Sequence, residues 1–296
     1  MTSIRKKKFY PKVRLGGLAI AIGFVGCFIL TSIFFNEAYQ SMFSDKLTQI
    51  VIISGFLIFL VGLADDIFVL QPWPRLIAQF TVCFFCWLGG LRINIIDISW
   101  IPFINGDVYE LSLFLSLFIT LFWIVGVINS INWLDGMDGL AASYTGLVSI
   151  GISIISLSFN HTDIFFIAIL TTSCCLAFLK YNLNPSSILM GDGGSYLLGF
   201  LLAIMSLLSC FNEMNVLCLH LPAFLLSLSI LDMIFVISKR LLAKRSPFYP
   251  DRQHIQHRIL NLGLDEKSTL FSSILFKTKN HSLSCLLYTS PSPRDS

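Results

Sequence analysis

Two adjacent carboxylates close the second apolar segment of the chain, in the run Gly62-Leu-Ala-Asp65-Asp66. Neighbouring carboxylates repel each other, so the pKa of one should rise unless a cation lies between them. The pair suits a hard divalent ion that bridges to phosphate oxygens, or one carboxylate that acts as a general base. An Asp-Asp pair alone is weak evidence, and its meaning depends on the other polar groups of the chain.

A second polar run places four side chains three residues apart: Asn129, Asn132, Asp135 and Asp138. A step of three residues drifts by about 60° around an α-helix, so the four cannot share one straight helical face. The glycines that follow both aspartates are poor residues for a helix interior. We therefore predict a helix end that turns into a loop, where the four side chains can converge. A solvated loop with an Asx turn is the alternative.

A glycine-rich run, Met190-Gly-Asp192-Gly-Gly-Ser195, precedes another apolar segment. Glycines let backbone N–H groups approach an anion closely, and the start of a helix adds a favourable dipole for phosphate. Asp192 would add an oxygen ligand for a metal ion. Glycine-rich loops are common, so this signal is modest by itself.

A basic loop from Arg245 to Arg258 carries two imidazoles three residues apart, His254 and His257. This spacing allows both rings to face one ligand, and the arginines nearby can form bidentate contacts with phosphate. The alternative is a polybasic stretch that binds anionic lipid headgroups.

The elements that carry these groups are apolar segments, and a segment needs about 20 apolar residues to cross the hydrocarbon core. Backbone groups in lipid must be satisfied within their own segment, so such segments are helical. We predict an all-α polytopic integral membrane protein with eight spans, at residues 15–35, 47–64, 76–91, 111–128, 140–157, 164–179, 196–210 and 216–238. The connection 93–111 is predicted to be an exposed hairpin.

The basic residues predict which loops face the cytoplasm, because lysine and arginine are retained on that side. Fifteen of the twenty lie in one set of loops, and only Lys46 and Arg92 lie in the opposite set. The first set comprises the head up to residue 14 and the stretches 65–75, 129–139, 180–194 and 239–267. All the polar motifs above fall in it, although the orientation used only the basic residues.

Composition excludes other classes. Hydrophobic residues make up 55% of the 296 residues, charged residues 12%, and the mean hydropathy is +0.78. A soluble domain could not cover itself with so little polar surface. A net charge of +3 gives no nucleic-acid footprint. Cys83 and Cys86 form a CxxC within an apolar segment without partner Cys or His pairs, which indicates packing rather than a zinc site.

Together, the motifs resemble the bacterial polyprenyl-phosphate N-acetylhexosamine-1-phosphate transferases, from about Pro11 to Leu264. They follow the family order: Leu15-Gly16-Gly17, Asp65-Asp66 with Arg75 and Gln79, Asn129-x-x-Asn132-x-x-Asp135-Gly-x-Asp138-Gly-Leu140, Asn182-x-x-Pro185, Gly191-Asp192-x-Gly194-Ser195, and Asp251-Arg252-x-His254-x-x-His257-Arg258. The His-x-x-His-Arg form is most similar to the undecaprenyl-phosphate GlcNAc-1-phosphate transferase branch.

The resemblance implies a reaction. An N-acetylhexosamine-1-phosphate, GlcNAc-1-phosphate in the branch named above, would pass from a UDP-sugar to undecaprenyl phosphate with release of UMP. This would be the first membrane step of cell-envelope polysaccharide synthesis, on the cytoplasmic face of the bacterial cell membrane. Mg²⁺ would be required, and Mn²⁺ could replace it. The phospho-N-acetylmuramoyl-pentapeptide transferase of peptidoglycan synthesis is the alternative within the family.

The resemblance also implies roles. Asp192 would be the metal ligand, and Asp65-Asp66 would serve the prenyl phosphate, with one of the two as a base. Asp135, Asp138 and Asn182 would line the nucleotide site. Phosphates and sugar would be held by Arg75 and the histidine loop. The expected catalytic residues are Asp65, Asp66, Asp135, Asp138, His254 and His257. The expected substrate-binding residues are Arg75, Asn129, Asn132, Asn182, Asp251, Arg252 and Arg258.

The chain departs from the family pattern in places. Gln256 stands where the family's last motif usually has a histidine, and Leu189 where an aromatic residue is common. Family members have ten or eleven spans. We therefore expect residues 1–264 to form a membrane transferase domain that lacks the first span, and 265–296 to be a truncated or aberrant tail. The sequence is also compatible with a homodimer.

Two alternatives come from other classes: a membrane transporter and a catalytically inactive relative. Transporter sites tend to lie near the midplane on broken helices in paired repeats, whereas these acids lie at helix ends. The departures at Gln256 and Leu189 favour an inactive relative.

Overall fold

The computed structural model describes residues 14–34, 46–97, 108–210, 217 and 220–246. Within these ranges it contains nine helices and two short strands. In chain order they are α1 (Gly16–Phe34), α2 (Lys46–Phe68), α3 (Pro72–Leu88), β1 (Ile95–Asp97), β2 (Val108–Glu110), α4 (Leu113–Leu134), α5 (Leu140–Ser158), α6 (Thr162–Asn182), α7 (Gly191–Leu208), α8 (His220–Leu225) and α9 (Ser227–Leu242).

Five helices of the described ranges are long and apolar enough to cross a membrane: α2, α4, α5, α6 and α7. The apolar part of α1, Gly16–Leu30, is shorter. Large apolar side chains such as Phe56, Phe114 and Phe118 are exposed on the outside of the bundle. A water-facing surface rarely carries so many of them, whereas a lipid-facing surface does. The predicted all-α polytopic membrane fold is confirmed.

Helix α7 is the central helix of the bundle, and α1, α2, α4 and α5 pack against it. All of its side chains from Gly193 to Leu207 are buried. Such a helix must be approached closely from several sides, which favours small residues at its contacts. Its sequence supplies them along its length, with Gly194, Ser195, Gly199 and Ala203.

Glycines on the neighbouring helices complete these close contacts. A side chain at Gly62 of α2 would collide with the backbone of Asp192, and one at Gly17 of α1 would collide with the backbone of Gly194. Gly199 of α7 lies against the backbone of Ile128 in α4 in the same way. Since backbone cannot move aside as a flexible side chain can, these positions must stay glycine for the helices to meet.

Local sequence accounts for the helix ends that matter for the site. Pro72 occupies the first turn of α3, where its missing N–H costs nothing. The hydroxyl of Ser112 accepts from the N–H of Leu115 and caps α4. The chain then turns between α4 and α5 through Gly139, whose φ of 81° is in the left-handed region that glycine tolerates.

The predicted hairpin between the third and fourth spans is confirmed for the residues on both sides of 98–107, but only β2 is exposed as predicted, since Ile96 of β1 is buried. Strands β1 and β2 are antiparallel and pair Ile96 with Tyr109. A single parallel bridge joins Ile96 to Leu217. The hairpin lies at the C-terminal end of α3 and the N-terminal end of α4, and the turn through Gly139 lies at the other end of α4.

Several predicted spans differ from the observed helices. Helix α3 lies about four residues earlier than predicted, and α4 runs on to Leu134, six residues past the predicted end, so Asn129 and Asn132 belong to the helix and not to the predicted loop 129–139. Helix α2 runs on to Phe68, so the paired aspartates belong to the helix and not to the loop after it. Helix α7 begins at Gly191, five residues before the predicted start. The predicted span 216–238 is two helices, α8 and α9. Hydropathy missed the first turn of α7 because glycines and an aspartate form it.

The described residues up to Ile230 belong to one compact unit, and those from Leu231 to Ser246 belong to a second. The second unit is described only to residue 246, and within it Lys239 lies 5.2 Å above the ring of Phe235. The predicted boundary after residue 264 falls outside the described residues and stays a prediction.

Candidate active site

The predicted polar groups meet where α2 and α4 end and α7 begins. Asp65 and Asp66 lie in the last turn of α2, Asn132 lies in the last turn of α4, and Asp192 lies in the first turn of α7. Hydrogen bonds join these three helix ends although the residues are far apart in sequence. The run from Asn129 is a helix end that turns into a loop, as predicted, but the predicted convergence of its four side chains is wrong for Asn129, which turns toward Gln79.

Asp66 caps the N-terminus of α7. Its two oxygens accept from the backbone N–H groups of Asp192 and Gly193, each at 2.9 Å. Gly191 has a φ of 76°, and a side chain there would meet the Asp66 carboxylate. A carboxylate at a helix N-terminus is stabilised by the unpaired N–H groups and by the helix dipole. An anion does occupy this helix start, but it is Asp66, where the sequence suggested a substrate phosphate.

Asp65 points to a different set of donors. Its Oδ2 accepts from Nη1 of Arg75 at 3.0 Å and from the hydroxyl of Tyr196 at 3.0 Å. Its Oδ1 accepts from the N–H of Leu70 at 2.9 Å. The side chain is 3% exposed, so these bonds and the paired cation are what allow it to remain buried. The repulsion expected between the two aspartates is relieved because each has its own partners.

Asn132 holds Asp192 in place. Its Nδ2 donates to Oδ1 of Asp192 at 2.6 Å and to the hydroxyl oxygen of Ser195 at 3.0 Å. Among the described residues, no hydrogen bond is found to Oδ2 of Asp192. One oxygen of Asp192 is therefore fixed by the protein, and the other can bind a cation or a substrate.

Asp135 ends α4 and lies close to the same carboxylates. Burial raises its pKa well above the ordinary value, and the charges of Asp192, Asp66 and Asp138 raise it further. A hydrogen bond with the backbone of Gly191 acts in the opposite direction. Burial and the neighbouring carboxylates thus both disfavour the charged form of Asp135, which a bound cation would favour.

Two predicted nucleotide residues connect loops near this cluster. Oδ1 of Asn182 accepts from the N–H of Gly139 at 3.0 Å, and its Nδ2 donates to the carbonyl of Ile188 at 3.0 Å. Oδ2 of Asp138 accepts from the N–H of Ser186 at 3.1 Å. Both residues thus link the α4–α5 turn to the segment between α6 and α7. Their predicted contact with a nucleotide stays a prediction.

Asn129 lies one helical turn below Asn132, but it does not contact Asp192. Its Nδ2 donates to Oε1 of Gln79 in α3 at 2.7 Å and to the carbonyl of Val125 at 2.8 Å. The spacing of three residues turns Asn129 and Asn132 toward different neighbours, as the predicted drift around the helix requires.

The predicted histidine loop lies outside the described residues. This applies to Asp251, Arg252, His254, His257 and Arg258. Their roles remain as the resemblance implies them.

Sequence reasoning missed the part played by Tyr196. The tyrosine is fully buried one turn after Asp192, and its hydroxyl donates to Asp65. The tyrosine at the start of the apolar run of α7 was the available signal, since a buried hydroxyl needs a hydrogen-bond partner.

The donor set can be tested for a hard divalent cation such as Mg²⁺. Among the described residues, no three His, Cys, Asp or Glu side chains converge into a complete metal cluster. Mg²⁺ seldom needs one, because it keeps several waters and binds through one or two carboxylates together with substrate phosphates. Asp192, with one oxygen held by Asn132 and the carboxyl groups of Asp66 and Asp135 nearby, fits such a site.

These features define a class: a multi-pass membrane protein whose helix ends hold a carboxylate-rich site suited to phosphate chemistry. Comparison with known proteins is more specific. Residues 48–210, more than half of the chain, match the glycosyl transferase family 4. The chain belongs to this family.

Individual relatives agree with this assignment. A probable undecaprenyl-phosphate N-acetylglucosaminyl 1-phosphate transferase of Bacillus subtilis is 32% identical over 266 residues, which cover 89% of this chain and 70% of the relative. A decaprenyl-phosphate N-acetylglucosaminephosphotransferase of Mycolicibacterium smegmatis is 30% identical over 273 residues, 86% of this chain and 66% of the relative. A phospho-N-acetylmuramoyl-pentapeptide-transferase of Caldanaerobacter subterraneus is 31% identical over 227 residues, 70% of this chain and 68% of the relative. The chain thus spans about two thirds of the length of these relatives.

Proposed function

We propose that the protein transfers GlcNAc-1-phosphate from UDP-GlcNAc to undecaprenyl phosphate and releases UMP. The observation that carries the proposal is the meeting of Asp66, Asn132 and Asp192 at one set of helix ends, in a chain of the glycosyl transferase family 4. Two relatives are named as enzymes that act on a polyprenyl phosphate and N-acetylglucosamine, which supports the same pair of substrates.

The reaction is a phosphoryl transfer. An oxygen of the acceptor phosphate attacks the phosphorus that bears the sugar, and a new P–O bond forms there. The bond from this phosphorus to the bridging oxygen breaks, and UMP leaves with the electron pair. The attacking oxygen is already ionised at neutral pH, so the reaction needs positioning and charge neutralisation more than covalent help from the protein.

The residues of the chain divide this work. Asp192, held in place by Asn132, would bind Mg²⁺. The ion would neutralise charge on the diphosphate when bound. Asp66 holds the first turn of α7 in position, and Asp65 holds Arg75. Arg75 has further N–H groups for a phosphate, because only Nη1 is engaged by Asp65. The histidine loop is proposed to contact phosphates and sugar, as the resemblance implies.

The site is proposed to face the cytoplasm of a bacterial cell, where UDP-sugars are found. The support is the side predicted from the sequence, which assigns fifteen basic residues to the same set of loops as the site motifs and two to the opposite set.

One observation favours a second sugar donor, UDP-MurNAc-pentapeptide. A phospho-N-acetylmuramoyl-pentapeptide-transferase is similar to this chain over 70% of its length. A panel of donors separates the two readings. Purified full-length protein is mixed with undecaprenyl phosphate, Mg²⁺ and either UDP-GlcNAc or UDP-MurNAc-pentapeptide, and UMP and lipid product are measured. We expect product from UDP-GlcNAc. Product from the pentapeptide donor alone would support the alternative, and no product from any UDP-sugar would contradict the proposal.

A further inference from the structure

Gln79 of α3 carries a buried hydrogen-bond donor that no other described residue engages. The side chain is 0% exposed, and its Nε2 has no hydrogen-bond partner among the described residues. An amide N–H buried without an acceptor is costly, more so within a membrane, where water is scarce. A donor retained at such a cost calls for an acceptor that arrives from outside the fold.

The orientation of this amide follows from its neighbours. The carbonyl of Val125 can only accept, so the atom of Asn129 that faces it at 2.8 Å must be the nitrogen. The same nitrogen lies 2.7 Å from the Gln79 side chain, which must therefore present its oxygen. Nε2 of Gln79 is consequently the atom without a partner, and rotating the amide by half a turn would oppose two donors.

The position of Gln79 favours an anion. Arg75 lies four residues earlier on the same helix, so the two side chains share one face. Arg75 is a quarter exposed and uses only Nη1 to bind Asp65, so other N–H groups of its guanidinium remain for a ligand. A guanidinium and an amide N–H one turn apart supply donors of the kind that a phosphate accepts.

The depth of the pair distinguishes a lipid phosphate from a soluble one. Gln79 is seven residues from the start of α3, which is about 10 Å along the helix axis. A water-soluble nucleotide reaches this depth less readily than a phosphate whose own chain is embedded in the bilayer.

We propose that Gln79 donates a hydrogen bond to the phosphate of the prenyl phosphate acceptor, and that Asn129 orients it for this contact. The inference rests on the proposed function and deepens it by assigning the acceptor end of the site to the Arg75–Gln79 face of α3. Gln79 is then a substrate-binding residue, and Asn129 is a positioning residue that acts through it.

The test uses two variants of the full-length protein and one control. Gln79→Glu keeps an oxygen for Asn129 but replaces the donor with an anion, and Gln79→Met removes both groups at similar volume. The control is Gln49→Glu, which makes the same amide-to-carboxylate change on an exposed residue near the start of α2. If Gln79→Glu fails to fold, Gln79→Met carries the comparison.

Two measurements decide the inference. One is the KM for undecaprenyl phosphate beside the KM for UDP-GlcNAc, and the other is the Kd of farnesyl phosphate for the purified protein, which needs no turnover. Loss of a hydrogen bond to a charged group should raise the acceptor KM and the farnesyl phosphate Kd by about 10-fold or more. The KM for UDP-GlcNAc should stay within about two-fold, and the control should match the wild type.

Several outcomes would overturn the inference. These are unchanged farnesyl phosphate binding in both Gln79 variants, no binding of farnesyl phosphate to the wild type, an equal rise of both KM values, and a rise confined to UDP-GlcNAc. If the wild type binds farnesyl phosphate but transfers no GlcNAc-1-phosphate, the proposed function fails, and the Kd comparison still decides the role of Gln79.

Discussion

The two adjacent aspartates show how one step along a helix separates two tasks. Asp65 and Asp66 point about 100° apart around α2 because successive residues of a helix rotate by that angle. Asp66 reaches the backbone of α7, while Asp65 reaches Arg75 and Tyr196. The sequence located the pair, but it could not assign these partners, because Tyr196 lies 131 residues away along the chain.

Asp192 is the residue whose negative charge matters most for the proposed metal site. Asp192→Asn keeps an oxygen that can accept from Asn132 and keeps the size of the side chain, but it removes the negative charge. We expect turnover to fall by about 100-fold or more, the loss typical of removing one electrostatic contact at a reacting centre. We also expect Mg²⁺ to stop raising the Tm of the variant, as binding to the folded state would otherwise do.

The matched control is Asp163→Asn, the same change in the first turn of α6 at the opposite end of the bundle. It should leave turnover and the Mg²⁺-dependent Tm unchanged. Turnover equal to that of the wild type in a folded Asp192→Asn protein would contradict the proposed metal-binding role of this residue.

At the scale of elements, the site exists because α1, α2 and α4 can touch the backbone of α7. Close approach of this kind depends on residues that hydropathy ignores. The eight predicted spans found the apolar segments, yet they placed the start of α7 at residue 196 and so excluded Asp192 from the helix. Capping by Asp66 stabilises that first turn. Asp66 and Asp192 are 126 residues apart in sequence, so a local pattern does not reveal this contact.

Two glycines in neighbouring helices provide a direct test of this packing. A methyl group at Gly62 would collide with the backbone of Asp192, whereas one at Gly26 of α1 would meet nothing within 4 Å. We expect Gly62→Ala to lower both the Tm and turnover, because α2 and α7 must move apart. Gly26→Ala should be neutral or stabilising by up to about 1 kcal/mol, the helix-propensity gain of alanine over glycine.

Thermal unfolding in detergent and the turnover assay measure both effects. Equal behaviour of the two alanine variants would show that close contact between α2 and α7 is not what holds the site together.

At the scale of the whole molecule, the class was predictable and the site only in part. Mean hydropathy and the distribution of basic residues were sufficient to predict a multi-pass membrane protein. Segments that cross lipid must be helical, and lysine and arginine are enriched in the loops on the cytoplasmic side. The motifs supplied Asp65, Asp66, Asn132 and Asp192 as members of one site. The hydrogen bonds that join these residues could be found only in the structure, as the unpredicted bond from Tyr196 to Asp65 shows.

Orientation is the prediction that belongs to this scale. Ser187 lies between α6 and α7 on the side of the site, and Thr162 begins α6 at the other end, with both exposed. In a background without native cysteines, Ser187→Cys should react with a membrane-impermeant maleimide only in inside-out vesicles. Thr162→Cys should react only in intact spheroplasts. The reverse pattern would place the site outside the cell and contradict the proposed access to UDP-sugars.

The central claim, that a sugar phosphate and not a sugar alone is transferred, can be measured with an isotope. Purified full-length protein is given undecaprenyl phosphate, Mg²⁺ and UDP-GlcNAc labelled with ³²P on the phosphate next to the sugar. Transfer of GlcNAc-1-phosphate predicts that the label moves into the lipid fraction while unlabelled UMP is released. Label that remains in the aqueous fraction as UDP, with unlabelled sugar on the lipid, would contradict the account.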